Sequence, residues 1–213
     1  MRPFPNATSL EFDIHGQLSI VDRAQLAACF HKLPSGCWQA AVHTGGGAGL
    51  PLPAVRQLPR LCPQLQEVAV GDAGGSASAE QLEEALESLV AVEGTLETLR
   101  LTVPSRDCAA AADRALPRLR GLRRLGLRWA HDGGRLLPEA LPRLTALSLL
   151  AIECGPQLWL PHLGPCPASL RVLRVAGSFP QRPGHMDSPP PLTRVLRDAP
   201  PLPGVTRLEL SAR

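Results

Sequence analysis

The chain has 213 residues, 44% hydrophobic and 19% charged, with a formal net charge of +3. That weak positive balance does not by itself argue for a nucleic-acid binder, where a strongly basic face is expected, and no apolar run approaches the ~18–20 residues of a membrane span. Aromatic residues make up 3% with no Tyr, so a core here must be built from Leu, Val and Ala.

Taken in chain order, one pattern recurs: apolar, two residues, apolar, one residue, apolar. Two degenerate copies lie at 7–12 and 37–42, and clear copies follow at 65–70, 96–101, 122–127, 147–152, 170–175 and 205–210. Their middle apolar residues are Leu10, Ala40, Val68, Leu99, Leu125, Leu150, Leu173 and Leu208, spaced 23 to 35 residues apart. A Leu-Pro-Arg-Leu signature at 58–61, 116–119 and 141–144 precedes three of the copies. It sets the register at 147–152, because the rival choice Leu144, Leu147 and Leu149 would misalign it.

Each copy alternates with period 2, which predicts a short strand with its apolar residues on one side. The intervening stretches carry helical spacing. Residues 79–92 are the clearest, with Leu82, Leu86 and Leu89 on one face and four Glu opposite or flanking; Ser78 or Ser76 serves as N-cap. Residues 22–33 and the Ala-rich 107–119 read the same way. Residues 135–141 and 157–163 are too short or too Pro-interrupted for more than a turn or two of helix. Residues 178–191, Pro-rich and polar, read as a loop insertion that accounts for the longest spacing.

The pattern resembles the leucine-rich-repeat family, in particular the longer irregular repeats of the ribonuclease-inhibitor and F-box types, and the resemblance covers nearly the whole chain. It implies an α/β solenoid over 1–213, a curved horseshoe of about eight units whose first two are degenerate. Parallel strands would line the concave face, with helices and turns on the convex face. Residues 73, 104, 130, 155 and 178 depart from the family, which usually has Asn or Cys there; they are Ala73, Pro104, Ala130, Gly155 and Ser178. Looser turns are the expected consequence.

No catalytic, cofactor or metal constellation stands out. The six cysteines form no Cys-x-x-Cys pair and match no zinc or redox spacing, so they read as free, buried thiols. The Gly-rich stretches 45–49 and 71–75 lack a phosphate-loop Lys-Ser/Thr and read as turns leaving a strand. No two of the six histidines fall at helical metal-site spacing; Asp13, His15 and His43 read as rim residues. The N-terminus lacks a signal-peptide core, so the chain is expected in the cytoplasm. Repeats of this type also occur in cytoskeletal and axonemal scaffolds.

Charge is segregated: six Glu and no cation over 78–97, then eight Arg and three Asp over 106–135. Salt pairing between adjacent units is the expectation. On the strands, the alternate positions place Arg100, Arg124, Arg128 and Arg174 as a basic stripe on the concave face. Thr102, Glu153 and Arg207 lie beside it and Trp129 at its edge. Arg and Trp are the usual interface anchors, and guanidinium groups suit carboxylate or phosphate. The expectation is therefore a non-enzymatic scaffold binding another protein through an acidic or phosphorylated segment. The substrate-reading part of a ubiquitin-ligase adaptor and a degenerate fragment without its own function are the alternatives.

Overall fold

The computed structural model describes residues 52–71, 78–129, 135–154, 165–177 and 202–212, with the backbone of 9–14, 39–44, 47–48 and 162–163. The expected helix at 22–33 and the loop at 178–191 lie outside the described residues, as does His15.

The fold is α/β. Strands β1 (Ser9–Ile14), β2 (Gln39–Thr44), β4 (Glu67–Val70), β5 (Thr98–Val103), β6 (Arg124–Trp129), β8 (Leu149–Cys154), β10 (Val172–Gly177) and β11 (Arg207–Ala212) pair in parallel, in chain order. The short β3 (Gly47–Ala48) turns back antiparallel onto β2. The register joins Leu10 to Ala40, Ala40 to Val68, and then Leu99, Leu125, Leu150, Leu173 and Leu208 in one row. The choice of Leu147, Leu150 and Ile152 over the rival register is therefore correct.

One backbone device repeats at every step from β4 to β11. The Gln66 carbonyl accepts from Glu97 N and Thr98 N, both at 2.9 Å. The carbonyls of Glu97, Arg123, Ser148 and Arg171 each accept from two successive amides of the next strand, at 2.8 to 3.1 Å. Before β4, β5, β6, β8, β10 and β11 a tight turn closes onto the leading apolar residue, as in Leu122 N to Leu119 O (3.2 Å) and Leu147 N to Leu144 O (2.9 Å). These bonds satisfy the loop backbone that enters the sheet, and they make the register a property of the main chain as well as of the leucines.

Helices connect the strands. The one-turn helices α1 (Leu52–Val55) and α2 (Leu58–Leu61) precede β4, and α3 (Ala79–Ser88) precedes β5. Ser78 caps α3: its hydroxyl accepts from Gln81 N, and Gln81 Oε1 accepts from Ser78 N, both at 3.2 Å. A 3₁₀ turn, Leu89–Val92, extends it to the expected end. Helix α4 (Arg106–Ala115) is capped by Ser105 and continues as a 3₁₀ turn, Leu116–Arg118. The stretch expected as a short helix at 135–141 divides into β7 (Arg135–Leu136), paired in parallel with β9 (His162–Leu163), and a single turn α5 (Ala140–Arg143).

The apolar rows of β4, β5, β6, β8 and β10 and the apolar faces of the helices form one buried cluster. Cys108, Ala111, Ala112 and Ala115 give α4 a small inward face, so it packs closely on α3. Each fully buried Leu contributes about 1.5–3 kcal/mol of hydrophobic stabilisation.

Candidate partner-binding face

With the leucine rows turned inward, the alternate positions of the strands form a second, exposed face. The pairing arranges them in three rows. The first holds Glu67, Thr98, Arg124, Leu149, Val172 and Arg207. The second holds Ala69, Arg100, Gly126, Ala151, Arg174 and Glu209, and the third Thr102, Arg128, Glu153, Ala176 and Ser211.

The four arginines therefore do not form a straight stripe. Strands lie about 4.8 Å apart and alternate residues of one strand about 6.7 Å apart. On that grid Arg124 and Arg128 stand above and below Gly126, while Arg100 and Arg174 flank the Gly126–Ala151 pair in the same row. The result is a ring of four arginine positions around a floor of two small residues. A methyl group added at Gly126 would meet Arg100 Cγ at 3.4 Å, so the Arg100 stem leans over this floor.

The ring is unevenly neutralised. Arg100 Nη2 lies 3.1 Å from Glu67 Oε1, and Arg174 Nε lies 2.7 Å from Glu209 Oε2. Arg207 also reaches Glu209, at 2.6 Å. Both flanking arginines are thus held by carboxylates lying away from the floor. No ion pair engages Arg124 or Arg128 among the described residues. Arg124 is exposed and Arg128 half-buried, and Glu153 is the strand neighbour of Arg128. Thr102 is half-buried beside Arg128.

Trp129 requires a correction. It was expected at the edge of the basic stripe, but it is 1% exposed and belongs to the core. Strand β6 continues one rung past Leu127, and period 2 turns position 129 to the same side as Leu125 and Leu127. Its row partners are Val103 and Cys154, both buried. The aromatic ring fills the interior and presents no anchor to a partner.

On the opposite, helical side three arginines pair with glutamates. Glu83 and Arg114 form a two-pronged pair, Oε1 to Nε at 3.1 Å and Oε2 to Nη2 at 2.6 Å. Arg118 reaches Glu87 at 2.7 Å, and Arg56 meets Glu84. The segregated acidic and basic segments thus face each other across α3 and α4. The hydrogen bond from Arg114 holds the Glu83 carboxyl below its ordinary range and raises the Arg114 guanidinium.

Sequence reasoning missed Asp113. Its carboxylate accepts from Ala140 N at 2.7 Å and Glu139 N at 3.0 Å, closing the start of α5 from the neighbouring helix. Burial raises its pKa, and the two backbone bonds partly oppose that rise. No local signal marks such a cap, because its amides lie 26 and 27 residues away.

Cys62, Cys108 and Cys154 are buried and Cys166 is half-buried. Burial pushes the Cys154 thiol to about 12, with Glu153 adding to the effect, and the Cys166 thiol to about 11. Neither thiol forms a nucleophilic thiolate at neutral pH. Asp13 and His43 are strand neighbours, but their side chains lie outside the described residues. No group of three or more His, Cys, Asp or Glu side chains assembles among the described residues. None of the described helices is long and apolar enough to cross a membrane.

No protein-family model matches the chain, and no curated protein matches it significantly.

Proposed function

We propose that this chain is a leucine-rich-repeat solenoid that acts as a non-enzymatic interaction module. In this reading the strand face is concave and grips an acidic segment of another protein, phosphorylated or not. The resemblance in the repeats supports the family, and the alignment of all eight marker residues in one row supports the stacking.

The observation that carries the binding role is the set of four arginine positions around Gly126 and Ala151, with Arg124 and Arg128 outside any ion pair among the described residues. A carboxylate or phosphate entering there replaces water on groups that already point outward and makes charge-assisted hydrogen bonds. Thr102 adds a hydroxyl at the lower margin, and Glu153 repels a ligand that carries its charge too far along β8. A cytoplasmic location is part of the proposal.

The experiment uses three immobilised proteins: the wild-type chain, the fourfold variant R100A/R124A/R128A/R174A, and the helical-side control R114A/R118A. Each is offered an acidic peptide pool with and without phosphorylation. The wild type and the control should retain the same peptides, and the fourfold variant should lose them by tenfold or more. Equal retention by all three would remove the strand face from the account.

A further inference from the structure

Among the described residues, Leu208 and Leu210 are the exposed large hydrophobic side chains, at 44% and 41%. Both lie on β11, at the edge of the sheet. They belong to the apolar rows, where Leu173 and Val175, their neighbours on β10, are buried. No described strand pairs with the far edge of β11.

That edge also presents backbone groups. The Arg207 amide donates to Arg171 O at 3.1 Å, so position 207 faces β10. Strand alternation then turns the N–H and C=O of Leu208 and Leu210 outward. An open edge of this kind is a template for another strand.

We propose that β11 pairs antiparallel with β11 of a second copy of this chain, forming a two-fold dimer in which Leu208 faces Leu208. The register follows from charge. With Leu208 opposite Leu208, Arg207 of each copy faces Glu209 of the other, twice by symmetry. A shift of the pairing one way places Glu209 opposite Glu209, and the other way places Arg207 opposite Arg207. Like charges directly opposite are destabilising. The central register also makes the outward amide and carbonyl of Leu208 exchange hydrogen bonds with their counterparts. The Arg207–Glu209 pairs then fall at the closely spaced, non-hydrogen-bonded positions where cross-strand contacts are strongest. On the inner side, Leu208 and Leu210 of both copies cover one another. The edge carries this inference; it shares Glu209, which also holds Arg174, and Arg207 with the strand face but does not depend on what that face binds.

Sedimentation velocity over a concentration series tests it. The wild type should show a reversible monomer–dimer equilibrium. R207E and E209R should each weaken self-association about tenfold or more, since each places like charges opposite in the homodimer. An equimolar mixture of R207E and E209R should dimerise again, because every Glu of one variant then faces an Arg of the other. Leu208→Lys, at a site exposed enough to tolerate it, should abolish association while leaving the far-UV circular dichroism unchanged. A wild type that stays monomeric at several hundred micromolar overturns the proposal. So does a mixture that fails to associate, or an open-ended series of oligomers, which would point to head-to-tail pairing of β11 with β1.

Discussion

Leu125 and Leu208 occupy the same row, one at the centre of the sheet and one on its last strand. They follow the same repeat pattern, yet Leu125 is 0% exposed and Leu208 is 44% exposed. The difference shows what the pattern encodes. Period 2 sets the side to which a residue points; burial is supplied by the strands and helices on either flank. A Leu with a neighbour on one flank only has the right direction and half of the cover.

The largest expected effect tests that distinction directly. Leu125→Ala should cost about 3 kcal/mol, the transfer loss plus a cavity that close-packed neighbours do not fill. Leu208→Ala should cost about 1 kcal/mol or less, because much of the side chain already contacts water. Urea unfolding at low protein concentration measures both. Equal losses would show that β11 is as well covered as β6 and would break the comparison.

A middle-sized effect sharpens it in the turns. Gly121 enters β6 so close to the preceding turn that an added methyl would collide with the Glu93 carbonyl oxygen. Gly94, ahead of β5, has nothing within 4 Å. Gly121→Ala should therefore destabilise by roughly 1–3 kcal/mol through overpacking. Gly94→Ala should be neutral or stabilise by about 0.4–1 kcal/mol by restricting the unfolded chain. Thermal unfolding of the two variants side by side gives the contrast, and a loss at Gly94 equal to that at Gly121 would refute it.

The sequence disclosed the sheet well. The strands, their inward leucines and the extents of α3 and α4 with their 3₁₀ ends follow from spacing alone. Trp129 was legible too, since 125, 127 and 129 share parity, but its composition as a binding anchor outweighed the count. Glu67 and Glu209 sit at alternate strand positions, which period 2 marks. Their pairing with Arg100 and Arg174 needed the register, which places residues about thirty apart side by side. The strand pair β7 and β9 was illegible, because two residues carry no periodicity. Asp113 was illegible for a different reason: its cap is built between units, and no local window contains both ends of it.

That cap gives the smallest prediction, one confined to the seam between α4 and α5. Asp113→Ala leaves two backbone amides without their acceptor and should cost about 1–2 kcal/mol. Asp113→Asn retains an acceptor oxygen and should cost less. The pH dependence has a defined sign. Asp113 titrates above its ordinary value in the folded chain, so the fold holds its proton more tightly than the unfolded chain does. Its favourable contribution is present below the unfolded pKa and lost as pH rises through the folded one. Glu83, held low by Arg114, behaves oppositely: its contribution is present above the unfolded pKa and lost as pH falls through the folded one. The stability difference between wild type and Asp113→Asn should therefore shrink as pH rises through the acidic range, measured by denaturant midpoints at fixed ionic strength. A difference that grows instead would mean that the two amide bonds favour the charged carboxylate by more than burial opposes it.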